Sequence, residues 1–311
     1  MKTAVLSIVT PAFNEAENLP RLYERIAALD WAGLRLDFEL LVVDDHSTDA
    51  TPAVLADLVA RDPRVKTLRF SRNFGSHAAL TAGLEHATGS AAVVLAADLQ
   101  DPPETIPELV AAWQAGAATV WAVRGGREGE SLQTQLTARL FYALIGRMTK
   151  MKMPPQGVDF FLLDRAVIEA LRLAPERNTS LIAQIQWLGF TQASLAYMKQ
   201  ARAAGRSKWT LSKRIKLSLD WVVGFSYFPI RFMSAVGMLF AFLGFLYALV
   251  LIVRRFVFVI PVEGWTSLIS VVLITSGVQL MMLGVLGEYL WRSFDASRQR
   301  PRYIIERRQG L

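Results

Sequence analysis

The sequence predicts an α/β domain with a doubly wound, mostly parallel sheet, followed by an interfacial helix and two transmembrane helices. Apolar, strand-like runs alternate with helical patterns over residues 1–125, which is typical of a parallel sheet with helices on both faces. Two uncharged stretches follow at 232–253 and 265–287, and each exceeds the roughly 20 helical residues that cross a bilayer. A helical pattern with one apolar face precedes them.

The α/β prediction rests on the order of these runs. The strand-like runs are residues 4–10, 38–43, 65–70, 91–96 and 118–123, and the helical stretches between them are 15–29, 51–60, 77–87 and 104–115. A second layer is predicted beyond them, with helices at 131–150 and 178–188 and a strand at 158–163. Doubly wound sheets bind ligands where the carboxyl ends of their strands meet. We therefore expect the functional residues directly after the strand-like runs.

The chain divides into four predicted parts. They are the α/β domain at 1–208, an amphipathic juxtamembrane helix at 209–230, a two-helix transmembrane region at 231–290 and a basic tail at 291–311. In the second part Leu211, Ile215 and Leu219 share one helical face, so this helix is expected to lie in the membrane interface. A helix packed on the α/β domain is the alternative.

Basic residues indicate which side of the membrane holds the α/β domain. Most lie before the first span or after the second, and the loop between the spans contains only Arg254 and Arg255. The flanking residues are Lys213, Arg214, Lys216, Arg231, Arg292, Arg298, Arg300, Arg302, Arg307 and Arg308. The positive-inside rule thus predicts a multi-pass protein of the cell (inner) membrane with its α/β domain and both termini in the cytoplasm. The N-terminal residues resemble a strand and not a secretory signal, which agrees with this orientation.

Composition narrows the expected partners. The net charge is +7 and cysteine is absent, which excludes disulfides and thiolate metal sites. Since many of the basic residues crowd the segments next to the spans, anionic lipid head groups are a simpler partner than nucleic acid. We therefore expect contact with membrane lipids and no binding of nucleic acid.

Polar segments follow the first two strand-like runs. Residues 11–15 read Pro-Ala-Phe-Asn-Glu, and residues 44–51 begin with Asp44 and Asp45. Adjacent carboxylates at the mouth of a sheet can accept hydrogen bonds from a base N–H and from ribose hydroxyls. Asp49 equally suits the N-cap of the helix that follows. We interpret Asp44 and Asp45 as functional and Asp49 as mostly structural.

Oxygen-bearing side chains follow the fourth strand-like run. Asp98 and Gln100 lie two residues apart, so they face the same way if the segment is extended. Such hard oxygen ligands suit Mg²⁺ or Mn²⁺ held together with phosphate oxygens. A turn closed by Pro102 and Pro103 and capped by Asp101 is compatible with the same residues. The sequence therefore predicts a divalent metal site at Asp98 and Gln100.

Basic side chains form the last candidate group. Arg124 and Arg127 flank two glycines at the end of the fifth strand-like run, and Arg202, Arg206 and Lys208 lie in a small-residue stretch before the juxtamembrane helix. Exposed arginines usually face only solvent. Here an anionic ligand that arrives from the bilayer would meet them.

In this order and spacing, the motifs resemble those of the family 2 inverting glycosyltransferases, whose nucleotide-sugar-binding fold is called GT-A. The similarity is greatest to the polyprenyl-phosphate glycosyltransferases, the group of dolichol-phosphate mannose synthases and bactoprenol glucosyltransferases, and it covers nearly the whole chain. The motifs that carry it are residues 11–15, 44–51, 72–75, 98–104, 157–160, 202–209, 287–289 and 300–303. The resemblance implies inverting transfer of a sugar from a nucleotide-sugar to polyprenyl (undecaprenyl) phosphate, for cell-envelope glycan or lipid modification.

The resemblance also implies roles for single residues. It places Asp98, Asp159 and Arg124 in catalysis, with Mg²⁺ or Mn²⁺ as cofactor. The nucleotide-sugar is expected to contact Pro11, Phe13, Glu15, Asp44, Asp45 and Asp98, and the acceptor phosphate is expected to contact Arg124, Arg127, Arg202, Ser207 and Lys208. Ala96 stands where the family commonly has an aspartate. The metal would therefore depend on Asp98, Gln100 and the diphosphate.

Two other functions stay open from the sequence. A processive polysaccharide synthase would carry Gln-x-x-Arg-Trp, and the nearest segment here is Gln186-Trp187. A non-catalytic, membrane-tethered nucleotide-sugar-binding protein would explain Ala96. Gly277 and Gly284 also predict that the second span packs closely on another helix. That helix belongs either to the same chain or to a second copy in a homo-oligomer.

Overall fold

A computed structural model describes residues 4–124, 159–174, 180–198, 228–257 and 264–311. The described residues belong to two compact units. The first is drawn from Met1–Leu217 together with Pro301–Leu311, and the second from Ser218–Arg300. The helix predicted at 131–150 lies outside the described residues, as do residues 209–227 of the predicted juxtamembrane helix.

The first unit is built on an eight-stranded sheet with the order β7-β5-β6-β4-β1-β2-β3-β8. The strands are β1 Ala4–Ala12, β2 Leu36–Asp44, β3 Val65–Phe70, β4 Ala91–Val94, β5 Thr119–Arg124, β6 Phe160–Asp164, β7 Gln192–Tyr197 and β8 Ile305–Gln309. Only β6 and β8 run antiparallel to their described neighbours. This confirms the predicted mostly parallel α/β sheet.

Helices cover the sheet. Those of the first unit are α1 Asn18–Ala27, α2 Trp31–Leu34, α3 Thr51–Arg61, α4 Ser76–His86, α5 Ile106–Gln114, α6 Arg165–Leu173 and α7 Leu181–Trp187, and a 3₁₀ turn at Pro103–Thr105 leads into α5. The four helical stretches predicted between the first five strands correspond to α1, α3, α4 and α5.

Both faces of the sheet are buried. Central strands such as β2 are therefore apolar at successive positions. In β2, Leu40 and Val42 pack in one core cluster, and Leu41 and Val43 pack in another. All four side chains are at most 1% exposed. Because successive side chains of a strand point to opposite faces, this alternation shows that the sheet is covered on both sides.

Gly83 allows α4 to lie close against β1. A Cβ atom at this position would lie 2.2 Å from Val9 Cγ1, and Val9 is fully buried. We expect Gly83→Ala to lower the free energy of unfolding by about 1–3 kcal/mol, because extra volume in a packed core forces its neighbours to shift. Thermal unfolding in detergent measures this effect. Gly244→Ala is the control, because no atom in the part of the chain that the structure describes lies within 4 Å of a Cβ there. Equal unfolding temperatures for both variants would contradict the prediction.

The C-terminal segment differs from the predicted basic tail at 291–311. It begins inside a helix that continues to Ser297 and ends in β8, which pairs with β3 in the first unit. Tyr303 stacks on Phe70 with ring centroids 5.0 Å apart, and its hydroxyl donates to Glu85. Residues 301–311 are therefore a structural part of the first unit.

The second unit contains two long helices, α8 Phe228–Val257 and α9 Trp265–Ser297. They contain the two predicted spans. Both are long and apolar enough to cross a membrane. Large apolar side chains such as Met238 and Leu280 are mostly exposed, as expected for side chains that face lipid. A Cβ at Gly237 in α8 would lie 2.7 Å from Met282 Cε in α9, so the two helices approach closely at this glycine.

Candidate active site

The candidate site is at the edge of the sheet where β1, β2 and β4 end. These strands are mutually parallel through β1, and they end at Ala12, Asp44 and Val94. The loops that follow them therefore leave the sheet at one edge, as predicted. Pro11 is the second-last residue of β1, and Phe13 and Glu15 lie just beyond the strand. All three residues are half-buried.

Hydrogen bonds join the loops after β1 and β2 into one scaffold. The backbone N–H of Asn14 donates to Ser47 Oγ, and the N–H of Thr48 donates to Asn14 Oδ1, each at 2.9 Å. The N–H of Glu15 donates to Thr51 Oγ1, also at 2.9 Å. The segments 11–15 and 44–51, which were predicted as separate motifs, thus stabilise each other.

Asp44 and Asp45 are both buried and both bind protein groups. Asp44 Oδ1 accepts from the N–H of Ser47 at 2.8 Å, and its other oxygen pairs with Arg69. Asp45 accepts from the backbone N–H groups of Phe74 and Gly75 at 2.6 and 2.9 Å. The two carboxylates therefore shape the loops that surround the edge. Their predicted contact with the nucleotide stays a prediction.

The environment of Asp45 favours its neutral form. Burial raises the pKa of this carboxyl above its usual value, and the negative charge of Asp44 acts in the same direction. The two N–H groups that donate to Asp45 oppose the shift. Gly75 can donate there because its φ is +93°, a backbone conformation that glycine adopts without strain.

Asp98 lies in a turn and not in the extended segment that the sequence suggested. Leu99 has a left-handed φ of 60°, and the N–H of Gln100 donates back to Asp98 Oδ1 at 3.2 Å. The assumption that Asp98 and Gln100 face the same way because of extended geometry is therefore wrong. Asn14 and His46 are also left-handed, at φ 57° and 63°. Left-handed, non-glycine residues thus occur in all three loops at this edge. Strained backbone of this kind is common at functional sites.

The residues at this turn fit a divalent cation only together with a ligand's oxygens. Asp98 is 8% exposed and supplies a carboxylate, and Gln100 supplies an amide oxygen. Among the described residues, no three His, Cys, Asp or Glu side chains cluster as a metal cage. Mg²⁺ is commonly held by one or two carboxylates plus substrate phosphates, and that arrangement matches the oxygen donors present here.

Asp159 and Arg124 belong to the same edge as Asp98. Arg124 is the last residue of β5, and Asp159 directly precedes β6. Because β6 runs antiparallel to β4 and β5, its beginning lies where those strands end. All three predicted catalytic residues are thus brought to one edge of the sheet. The predicted acceptor-phosphate residues Arg127, Arg202, Ser207 and Lys208 lie outside the described residues.

Arg69 also lies at the site, and it was not predicted from the sequence. This residue of β3 pairs in register with Asp44, and its Nη2 donates to the carbonyl oxygen of Ser47 at 3.2 Å. Its Nε donates to Glu306 of β8, also at 3.2 Å. The available signal was weak, because β3 contains a second basic residue, Lys66, beside Arg69. Nδ1 of His46, in the loop after β2, lies 3.0 Å from the carbonyl oxygen of Phe70.

The sequence of this domain matches the profile of Glycosyl transferase family 2 over residues 7–172. The chain belongs to this family. Among its relatives within glycosyl transferase family 2 is an uncharacterized glycosyltransferase of Bacillus subtilis strain 168, which is 39% identical over 98% of this chain and 94% of the relative. The bactoprenol glucosyl transferase of Shigella phage SfV is 39% identical over 97% of this chain and 98% of its own length. The prophage bactoprenol glucosyl transferase homolog of Escherichia coli K12 is 37% identical over the same shares.

A solved structure of this family's fold is also similar. It is glucosyl-3-phosphoglycerate synthase from Mycobacterium tuberculosis, in complex with Mn²⁺, uridine diphosphate and phosphoglyceric acid. The TM-score is 0.51 at 19% identity, over 71% of this chain and 76% of that one. At this identity the similarity concerns the fold alone, and it agrees with the GT-A architecture expected from the motifs.

Proposed function

We propose that this glycosyltransferase moves glucose from a nucleotide-sugar to a polyprenyl phosphate, and that it does so at a membrane surface. The observation that carries the proposal is near-full-length similarity, at 37–39% identity, to proteins named bactoprenol glucosyl transferase. The strand-edge site and the two apolar helices agree with it, because this acceptor pairs an anionic head group with a lipid chain.

The donor side of the site is assigned to the loops after β1, β2 and β4. Pro11, Phe13 and Glu15 lie next to the loop that Asp44 and Asp45 shape. These residues are proposed to bind the nucleoside. Asp98 and Gln100 are the residues that would bind Mg²⁺ or Mn²⁺ beside the diphosphate. Such an ion, when bound, neutralises the charge that develops on the departing diphosphate.

The acceptor side needs charge more than a base. A phosphate monoester with a second pKa near 6 carries about −1.5 to −2 charge at neutral pH, so its oxygen is already nucleophilic. Arg124, Arg127, Arg202 and Lys208 are proposed to neutralise and orient it, with Ser207 beside them and with arginine able to form bidentate contacts. Asp159 lies at the same edge and would orient the phosphate or the sugar. Direct displacement at the anomeric carbon then inverts its configuration.

The connectivity of the two units supports the proposed membrane topology. The first unit includes chain from before α8 and chain from after α9, and a folded unit occupies one side of a membrane. Two crossings return the chain to the side from which it left. Together with the basic residues that flank the spans, this supports a cytoplasmic α/β domain at the inner membrane.

Self-association through α9 stays a prediction. Among the described residues, none lies within 4 Å of a Cβ placed at Gly277, Gly284 or Gly287, so a second copy could pack against them. We expect the purified protein in nanodiscs to have the mass of an oligomer, and Gly284→Leu to reduce that mass. A monomeric mass for the unchanged protein would contradict self-association.

The proposal is tested by incubating the purified protein with several nucleotide-sugars, with and without polyprenyl phosphate and Mn²⁺. We expect sugar transfer with a glucose donor, and only when polyprenyl phosphate is present. A long sugar polymer as product would instead identify a processive synthase. Donor binding without any turnover would identify a nucleotide-sugar-binding protein, and either result would overturn the proposal.

A further inference from the structure

Tyr197 lies where three elements of the candidate site meet. It is the last residue of β7 and pairs in register with Arg124 of β5. Its hydroxyl donates to Asp101 Oδ1 at 2.5 Å. Its ring packs edge-on against Phe160 of β6, with centroids 5.5 Å apart and planes at 90°. One side chain thus contacts both the loop after β4 and the beginning of β6.

The hydrogen bond between Tyr197 and Asp101 is buried. Tyr197 is 6% exposed and Asp101 is fully buried. Hydrogen bonds from a hydroxyl to a carboxylate are in general stronger than those between neutral groups. In a water-poor environment such a bond is also less weakened by solvent than at the surface. The contact therefore fixes the position of Asp101 relative to the end of β7.

Each partner of Tyr197 is adjacent to a residue assigned to catalysis. Asp101 ends the short turn that begins at Asp98, and Phe160 directly follows Asp159. Tyr197 therefore joins the turn that carries Asp98 to the beginning of β6, next to Asp159.

We propose that Tyr197 is a positioning residue that holds the metal-binding turn and the beginning of β6, next to Asp159, in register for sugar transfer. The proposal rests on the proposed function of the site. The tyrosine touches no reacting atom in this account. It acts through Asp101 and Phe160, so its loss should slow transfer and leave binding of the nucleotide to the donor loops unchanged.

The first unit contains a matched control for this bond. Tyr23 of α1 donates its hydroxyl to Asp62 Oδ2 at 2.8 Å. Asp62 lies just before β3, at the edge of the sheet opposite to the candidate site. Both pairs join a tyrosine hydroxyl to an aspartate, and Asp62 also binds Arg64. Tyr23→Phe therefore reports the cost of losing a tyrosine–aspartate bond away from the site.

The experiment compares Tyr197→Phe and Tyr23→Phe in the full-length protein in nanodiscs. We expect Tyr197→Phe to lower kcat about tenfold or more, since small misplacements of reacting groups have effects of this size. Its affinity for uridine diphosphate, measured by calorimetry without acceptor, should change less than about twofold. Tyr23→Phe should keep its kcat even where its unfolding temperature falls. An unchanged kcat in Tyr197→Phe, or equal losses in both variants, would overturn the proposal.

Asp101→Asn supplies a second test that does not depend on one variant. It keeps an oxygen that can accept from the hydroxyl, so we expect a smaller loss of kcat than in Tyr197→Phe. The double variant should lose no more than Tyr197→Phe alone, because both changes act on the same interaction and Tyr197→Phe already removes it. Multiplied losses in the double variant would contradict the direct link. If the unchanged protein proved to use another acceptor, that would contradict the proposed function only, and the same comparison on that acceptor would decide the role of Tyr197.

Discussion

Asp98→Ala is expected to lower kcat by about 100- to 1000-fold, the size of effect seen when one group that stabilises developing charge is removed from an active site. Asp98 is the predicted carboxylate ligand in the turn after β4, and Ala96 supplies no carboxylate at the position where the family commonly has an aspartate. Loss of Asp98 would leave the amide of Gln100 as the remaining predicted protein ligand. Binding of Mn²⁺ in the presence of uridine diphosphate, followed by electron paramagnetic resonance, should weaken in parallel.

The control for this prediction is Asp57→Ala. Asp57 is an exposed carboxylate of α3 that pairs with Arg61, so its removal changes the same charge far from the candidate site. We expect this variant to keep both activity and Mn²⁺ binding. Full transfer activity in Asp98→Ala, or in the unchanged protein with excess EDTA, would contradict the assigned metal site.

Arg202→Ala and Lys208→Ala are expected to raise KM for a short-chain polyprenyl phosphate by about 10- to 100-fold. This range corresponds to the loss of one hydrogen bond between charged groups, about 1.5–3 kcal/mol. Arg202→Lys should also be impaired, because a point charge does not replace the bidentate geometry of a guanidinium. Affinity for uridine diphosphate should stay within about twofold, since these residues are assigned to the acceptor.

Arg307→Ala controls for the change in net charge. Arg307 is exposed on β8 and has no assigned role in the site, so its KM values should not change. If Arg202→Ala and Lys208→Ala instead lose nucleotide affinity and keep their acceptor KM, the segment belongs to the donor side and the assignment is wrong.

The fold was largely predictable because its signals are local. Each strand of the parallel core is an apolar run with a helix after it, and in such sheets both faces are buried. The edge that carries the site follows from the same pattern, because parallel strands end at one edge. The placement of Asp44, Asp45 and Asp98 at this edge could therefore be predicted, since they lie at or shortly after the ends of β2 and β4.

What the sequence could not predict depends on contacts between distant segments. The run Ile305–Gln309 contains three charged residues, so its sequence is typical of a basic tail. It pairs with β3, from which it is separated in sequence by the whole second unit. The bond between Tyr197 and Asp101 likewise joins residues whose local sequences say nothing of each other. Leu99 adopts a left-handed backbone that leucine rarely shows, so the turn at Asp98 could not be expected from residue type.

The most direct test of the account is the mass of the lipid product formed from polyprenyl phosphate and uridine diphosphate glucose. We expect the acceptor to gain one hexose and no further phosphorus, with the sugar β-linked by NMR. That product requires displacement of the whole diphosphate by an acceptor phosphate oxygen. A lipid that gains a sugar phosphate, or an α-linked product, would contradict the account.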